Sequence, residues 1–341
     1  MKIVMPVADL HIGGGCKVLV DIAGALTKRG HDVEIVIPKS GTVKYPIPCQ
    51  LTVVPALTHE TIPYGDLVLP NFYTTFFPAY QAWPEQCVRL SLGFEPLWVP
   101  AKEQALWTYM QGVPVISISR WLDDQIYRHT RKRSTVVSLG VDPAVFFADP
   151  ARAAARAADP DRHKIILYIA RAAEDGYALK GFNDFKEAMQ IVHREWNGSF
   201  MIHLICPDRA LSVPGLHQQA FFPANEYEMA ELYRSSDVFV SSSWFEAFSL
   251  PPLEAMACGT PVVTTNSGGI MDFCTHMESA YVTAPQHPRR LAQGICAVLS
   301  DKQLASKLAH GGKLSAERLT HSRFETHIVD VLEEISSRRK W

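Results

Sequence analysis

Residues Ile3 to Val7 form a short apolar run, a glycine turn follows at Gly13 to Gly15, and Lys17 to Lys28 carries apolar residues at Val18, Ile22, Ala25 and Leu26. That spacing is helical, because residues three and four apart share one helix face. Gly30 then supplies a helix stop and Val33 to Ile37 a second apolar run. Strand, helix, strand in that order dictates a parallel pair, since parallel strands need a crossover and cannot be joined by a tight hairpin. The opening is therefore Rossmann-like, and little else can be built from it.

The theme returns in the second half. Ile165 to Ile169 reads as a strand, Phe182 to His193 as a helix and Met201 to Cys206 as a strand. Asn225 with Glu228 resembles a capping box that opens an apolar-striped helix to Ser235. Strand Val238 to Ser241, a helix from Pro251 to Cys258 stopped by Gly259, and strand Pro261 to Thr264 continue the alternation, so a second parallel sheet is expected.

At 341 residues the chain exceeds one ordinary core. The expectation is two lobes with a cleft between them: a first domain over residues 1–150 and a second over residues 160–321. The alanine-, charge- and proline-rich stretch from Asp149 to Asp161 is read as the connection. The tail from Ser322 to Trp341 reads as a helix that could pack back on the first domain, although its periodicity does not show which lobe it touches.

A composition of 47% apolar and 20% charged residues with a net charge of -2 is that of a soluble globular protein. It argues against a nucleic-acid partner, which needs a basic face to neutralise phosphates. The basic clusters are Arg128, Arg131, Lys132 and Arg133, and Arg338, Arg339 and Lys340. Both read as solvated helix ends; the sharper alternative is contact with a membrane surface, which would suit a lipid-linked acceptor. The start, Met1 to Pro6, is too short an apolar run for a signal peptide, and no stretch reaches the length of a membrane span. The seven cysteines, Cys16, Cys49, Cys87, Cys206, Cys258, Cys274 and Cys296, lack CxxC spacing and read as free thiols of a cytoplasmic protein.

The densest chemistry lies in Glu246-Ala247-Phe248-Ser249-Leu250-Pro251-Pro252-Leu253-Glu254, two carboxylates seven residues apart across a loop-to-helix junction. Ser249 is a candidate N-cap and the prolines suit a first turn. Backbone N–H groups at such a start, added to the helix dipole, favour a diphosphate. Glu246 then faces the ligand from the loop, and Glu254, about one turn in, is placed to accept from the paired hydroxyls of a ribose. Two ordinary surface glutamates flanking a buried helix would share this spacing.

The stretch SSSWFEAFSLPPLEAMACGTPVVTTNSGG, Ser241 to Gly269, resembles the donor-binding signature of retaining glycosyltransferases of family 4. The likeness takes in the glutamate pair, the prolines, the alanine-rich helix, the Cys258-Gly259-Thr260-Pro261 turn and Gly268-Gly269. Arg171 after a strand and Lys180-Gly181 before a helix resemble that family's arginine and lysine-glycine pair, two cations that would neutralise a leaving diphosphate. Gly14 and Gly15 resemble its N-terminal glycine pair, whose N–H groups approach the donor phosphates. Ser117 to Trp121, and Gly140-Val141-Asp142 with Phe146, are further echoes.

The resemblance implies a GT-B fold, two Rossmann-like domains with parallel sheets facing across a cleft. It implies transfer of a hexose-type sugar from a nucleoside-diphosphate sugar to an acceptor hydroxyl, with retention at the anomeric carbon and no metal or bound cofactor. Arg171, Lys180 and Glu246 are the catalytic candidates; Gly14, Gly15, Ala247, Phe248, Ser249, Leu250 and Glu254 join them in holding the donor. The acceptor is a sugar or a lipid-linked sugar. No Asp-x-Asp motif ends a predicted strand, and Asp123-Asp124 reads as helix surface.

Two departures stand out: Pro207-Asp208-Arg209 replaces a glycine-rich turn, and VRLSLGFE, Val88 to Glu95, lacks the histidine many relatives place there. Glu95 is either an acceptor-side group or an ordinary loop glutamate. Phe222 and Pro223 are candidates for a base pocket, and His11 lies close to the glycine turn. A nucleotide-sugar epimerase on the same scaffold and a non-catalytic partner of another transferase are the rival readings. A dehydrogenase ranks third, since Val18 stands where the third glycine of G-x-G-x-x-G belongs.

Overall fold

The computed structural model describes residues 1–159 and 162–338 and resolves the chain into two compact units, one from Met1 to Leu139 with the segment from Ser322 onward, the other from Gly140 to His321. In the first, β1 (Lys2–Pro6), α1 (Gly14–Lys28) and β2 (Asp32–Pro38) form the expected crossover, with Ile3 paired to Val33 and Met5 to Ile35 in parallel register. β3 (Gln50–Val54) and β4 (Leu67–Val68) complete a parallel sheet of order β3-β2-β1-β4. After α2 (Tyr73–Ala82) come β5 (Arg89–Ser91), α3 (Lys102–Thr108), β6 (Val115–Ser117), α4 (Arg120–Thr130) and β7 (Thr135–Val136). A parallel bridge between Val68 and Cys87 joins the β5-β6-β7 sheet to β4. Val4, Val36, Val68, Phe76 and Ala79 lie in its core.

The second unit opens with α5 (Pro150–Ala158), then runs β8 (Lys164–Ile169), α6 (Phe182–Glu195), β9 (Phe200–Ile205), β10 (Gln218–Phe221), α7 (Glu226–Ser235), β11 (Val238–Val240), α8 (Leu250–Ala257), β12 (Val262–Thr265), β13 (Tyr281–Thr283), α9 (Pro288–Ser300) and α10 (Lys302–Ala316). Its strands lie in the order β10-β9-β8-β11-β12-β13, all pairs parallel. Counted from β8 this is 3-2-1-4-5-6, the doubly wound Rossmann order. The order reverses between β8 and β11, and there the crossovers part to opposite faces and leave a crevice at the strands' carboxyl ends.

Two expectations are corrected. The stretch from Asp149 is not a bare connector: Asp149 caps α5 by accepting from the Ala151 and Arg152 N–H groups, Pro150 takes the first position, and alanines propagate the helix. The units divide at Leu139 instead, where Gly140 passes tightly under Thr320. The Pro160-Asp161 end of that stretch, and Arg339, Lys340 and Trp341, lie outside the described residues. α11 (His321–Arg338) belongs to the first unit, with Phe324, Ile328, Val329 and Leu332 buried, and with Lys28 on Glu325, Arg29 on Asp330 and His31 on Glu333 at 2.6 to 2.9 Å.

Candidate functional site

The residues singled out in the second half of the chain converge on the reversal point of its sheet. Arg171 follows β8, Asp208 follows β9, the Ser241–Ser249 loop follows β11 and Ser267 to Gly269 follow β12, all at carboxyl ends. Lys180 closes a short 3-10 turn before α6, and its ammonium donates to Glu246 Oε1 at 2.8 Å. Ser243 Oγ donates to the same oxygen, also at 2.8 Å. Glu246 is thus pinned from two directions, its side chain 13% exposed against 42% for Lys180, so the pair opens to solvent on the lysine side.

The backbone explains why these groups meet. Gly181 sits at φ 67, and a Cβ there would lie 2.1 Å from the Ser242 carbonyl oxygen, so only glycine lets the lysine turn touch the loop. Ser242 Oγ donates to the Gly181 carbonyl at 2.8 Å, and Trp244 N–H donates to the Leu179 carbonyl at 2.7 Å. On the other side Glu246 N–H donates to Ser267 and Gly269 N–H to Glu246, both at 2.8 Å. A Cβ on Gly269 would stand 1.8 Å from the Ala247 carbonyl oxygen. Two glycines far apart in sequence thereby fix one loop.

α8 departs from its expected start. Ser249 occupies the N-cap position but at φ 77, and its hydroxyl caps nothing. A β-region φ is what lets an N-cap side chain reach back to the third N–H, and Ser249 lacks it. Pro251 and Pro252 remove two further donors, and the N–H groups of Phe248, Ser249 and Leu250 have no partner among the described residues. The helix ends as expected: Gly259 at φ 73 and Thr260 return N–H groups to the Met256 and Ala255 carbonyls. Glu254 accepts from the Tyr233 hydroxyl at 2.8 Å. Burial and that neighbouring carboxylate hold the Tyr233 phenol well above its ordinary range, so it stays a donor.

Residues 154–315 match the family of glycosyl transferases, group 1.

That span is nearly the whole of the second unit. An uncharacterized glycosyltransferase of Methanocaldococcus jannaschii is 31% identical over 148 residues, 41% of this chain and 37% of that protein. The alignment with this curated relative therefore covers little more than a third of its length. Sucrose-phosphate synthase from Thermosynechococcus elongatus superposes with a TM-score of 0.79 at 17% identity, over 99% of both chains. Anabaena HepE, solved in complex with UDP-glucose, gives 0.77 at 16%, over 98% of this chain and all of that one. These structures share the GT-B fold of two Rossmann-like domains, and this chain has it too.

Arg171 lies beside the Lys180 turn, its guanidinium over the Tyr177 ring at 4.5 Å and 3.3 Å from Asp208. The Pro207-Asp208-Arg209 departure therefore supplies the arginine's carboxylate, while Arg209 pairs with Glu174 and Asp175. Phe222 stands 60% exposed just after β10. Asn225 accepts from Glu228 N–H at 3.0 Å, but the reciprocal carboxylate bond goes to Ala224 N–H, one residue before the cap.

In the first unit Gly14 and Gly15 open α1 with clear space around both, and the Tyr45 hydroxyl pins Gly13 by accepting its N–H at 2.9 Å and donating to its carbonyl. His11 and Cys16 lie beside this turn, and burial pushes the Cys16 thiol up to about 11, which removes it as a nucleophile near neutrality. Glu95 is corrected: it is no ordinary loop glutamate and is not presented outward. At 2% exposure it is ion-paired to the fully buried Arg89 and accepts from the Tyr109 hydroxyl, so both oxygens are used inside the unit. Ser243, Tyr177 and Tyr233 were missed. The serine run Ser241 to Ser243 after a strand was a signal for the first, but nothing local marks the tyrosines.

Proposed function

We propose that the chain is a metal-independent, retaining glycosyltransferase that moves a hexose-type sugar from a nucleoside-diphosphate sugar to an acceptor hydroxyl. The observation that carries it is the Lys180–Glu246 pair held at the sheet's reversal point, beside Arg171 and the free N–H groups opening α8.

In the free protein the lysine is spent on a carboxylate. A diphosphate seated against Ser249 and Leu250 N–H groups competes for that ammonium, and the exchange frees a Glu246 oxygen for hydroxyls of the transferred sugar. Lys180 and Arg171 then stabilise charge as the nucleoside diphosphate departs, where preorganised cations lower the barrier most. Ser243 keeps the carboxylate oriented throughout the swap. Glu254, steadied by Tyr233, is offered to ribose, and Phe222 with Pro223 to the base. The open start of α1 at Gly14 and Gly15 is a phosphate site of the first unit. The UDP-glucose bound by HepE supports a nucleotide sugar as donor, and a sugar or lipid-linked sugar as acceptor follows from the same reading.

Calorimetry of the full chain with UDP, GDP, ADP and dTDP in the presence of a chelator tests this. One diphosphate binding to the wild type and at least tenfold more weakly to Lys180→Ala supports the reading. Binding of none, or equal binding by the variant, overturns it. A glycosylated product from a candidate acceptor separates transfer from epimerisation.

A further inference from the structure

The sheet of the first unit ends in two edge strands of opposite character. β7 is two residues long and follows Arg131, Lys132 and Arg133, so cations guard its start. β3, at the other end of the strand order, has five residues, Gln50-Leu51-Thr52-Val53-Val54, and among the described residues pairs with β2 alone. It carries neither charge nor proline, and from Cys49 to Leu57 the chain has no Asp, Glu, Lys or Arg. Its register with β2 runs residue for residue, without a bulge. An edge that lacks all of these devices is open to pairing with another strand.

The backbone sets what that edge offers. Lys39 N–H donates to the Val54 carbonyl at 2.8 Å, so Val54 turns its backbone groups towards β2. Successive residues of a strand turn to opposite sides, so Thr52 and Gln50 do the same, while Leu51 and Val53 turn their N–H and C=O groups outward. The side chains of Leu51 and Val53 share one face, in line with Ile35 and Ile37 of β2. Ile35 and Ile37 are buried, whereas Leu51 is 36% exposed and Val53 55%. The apolar layer thus runs one strand beyond its cover. On the opposite face Thr52 donates to Glu34 at 2.7 Å and Val54 joins the core.

We propose that the protein pairs with a second copy of itself through β3, antiparallel about a twofold axis at Thr52. Leu51 of one copy then lies opposite Val53 of the other, and every outward N–H and C=O of these two residues finds a partner. The same register makes Leu51 and Val53 cross-strand apolar pairs on the exposed face, and sets Thr52 against its own image with Cα atoms about 4.5 Å apart. A second copy suits this edge better than an unrelated strand. Its outward groups are spaced to meet themselves when the direction is reversed, no charge repels the image, and Pro48 and Pro55 bracket the seam so that it extends no further. Each copy presents the same edge to the other, so the assembly closes at two rather than growing into a fibre. The proposal does not rest on the glycosyl-transfer reading.

Sedimentation velocity of the full chain, from low to high micromolar concentration, tests it. A reversible monomer–dimer equilibrium is expected, since one strand edge is a small seam by the measure of stable dimers. Val53→Pro deletes an outward donor without touching the bonds to β2, so it should weaken dimerisation by about tenfold or more while circular dichroism stays native. Thr52→Cys should cross-link two copies through position 52 on mild oxidation, because that pair meets disulfide geometry, and Gln50→Cys, displaced along the strand from its own image, should not. Should Val53→Pro not fold, the two cysteine variants decide alone. A monomer at every concentration, open-ended oligomers, a dimer indifferent to Val53→Pro, or cross-linking by Gln50→Cys as readily as by Thr52→Cys would overturn it.

Discussion

Ser249 is the residue at which local energetics and the candidate site conflict. A serine at φ 77 sits in a region that L side chains enter at a cost of about 1–3 kcal/mol, and its hydroxyl recovers nothing through capping. Ser249→Gly should therefore raise stability by roughly 1 kcal/mol in urea unfolding; an unchanged or lower midpoint would show that the φ is not strained. Gly269 poses the opposite case. A methyl 1.8 Å from the Ala247 carbonyl oxygen has no room, so Gly269→Ala should displace the Glu246 loop and abolish nucleoside-diphosphate binding while far-UV circular dichroism stays native. Retained binding would separate that loop from the site. For Glu246→Gln, loss of the charge that Lys180 and Ser243 orient should lower turnover by about a hundredfold or more with the fold intact. Much of this site was legible: the glutamate pair, Arg171 and Lys180-Gly181 were all read from the chain. Their pairing was not, because Lys180 and Glu246 are far apart in sequence and only the sheet order brings them together. Nor was the fate of Glu95, because nothing local pairs it with Arg89 of β5 before the two are buried together.

At the scale of elements, the periodic segments were the readable ones. β1, α1 and β2 announce themselves because apolar residues recur with one period and then another, whereas β4 and β7 are two residues each and leave no pattern to detect. α5 escaped because alanine and charge give helix propensity without an apolar stripe, and only its Asp149 cap fixes its start. β9 carries a testable irregularity. His203 lies among apolar groups with its ring 4.7 Å from Phe221, and its Nδ1 has no hydrogen-bond partner. Burial lowers its pKa below the ordinary 6.5, so the folded chain resists a proton that the unfolded chain accepts. Stability should be full above about 6.5, fall as the pH drops from there towards the folded-state pKa, and level off below it. His203→Leu should flatten that limb in denaturation curves taken across the range. An unchanged acid limb would assign the loss to other groups.

For the whole molecule, α11 shows which forces hold the first unit closed. Its ion pairs to Lys28 and Arg29 are exposed on at least one side and each contribute under about 1 kcal/mol, while the mostly buried His31 meets Glu333 at 2.9 Å. Its buried side chains weigh more: Leu332→Ala should cost about 2–5 kcal/mol and Lys28→Ala a fraction of that, measured by chemical denaturation. Comparable costs would mean that the surface pairs, not the apolar stripe, fasten the helix. Two Rossmann-like halves were legible from alternating elements and the GT-B fold only through the family resemblance, while the division at Leu139 was not legible, since the tight passage of Gly140 beneath Thr320 has no signature in the local sequence.

The chain leaves its first unit at Leu139 and supplies that unit's last helix only from Ser322. At a synthesis rate of roughly 5–20 residues per second, the groove that receives α11 waits on the order of ten to forty seconds after the rest of its unit has emerged from the ribosome. The second unit, contiguous in the chain, is complete only as that wait ends. The part made first is thus finished last, and through the interval its apolar groove is open to whatever chaperone or neighbouring nascent chain meets it.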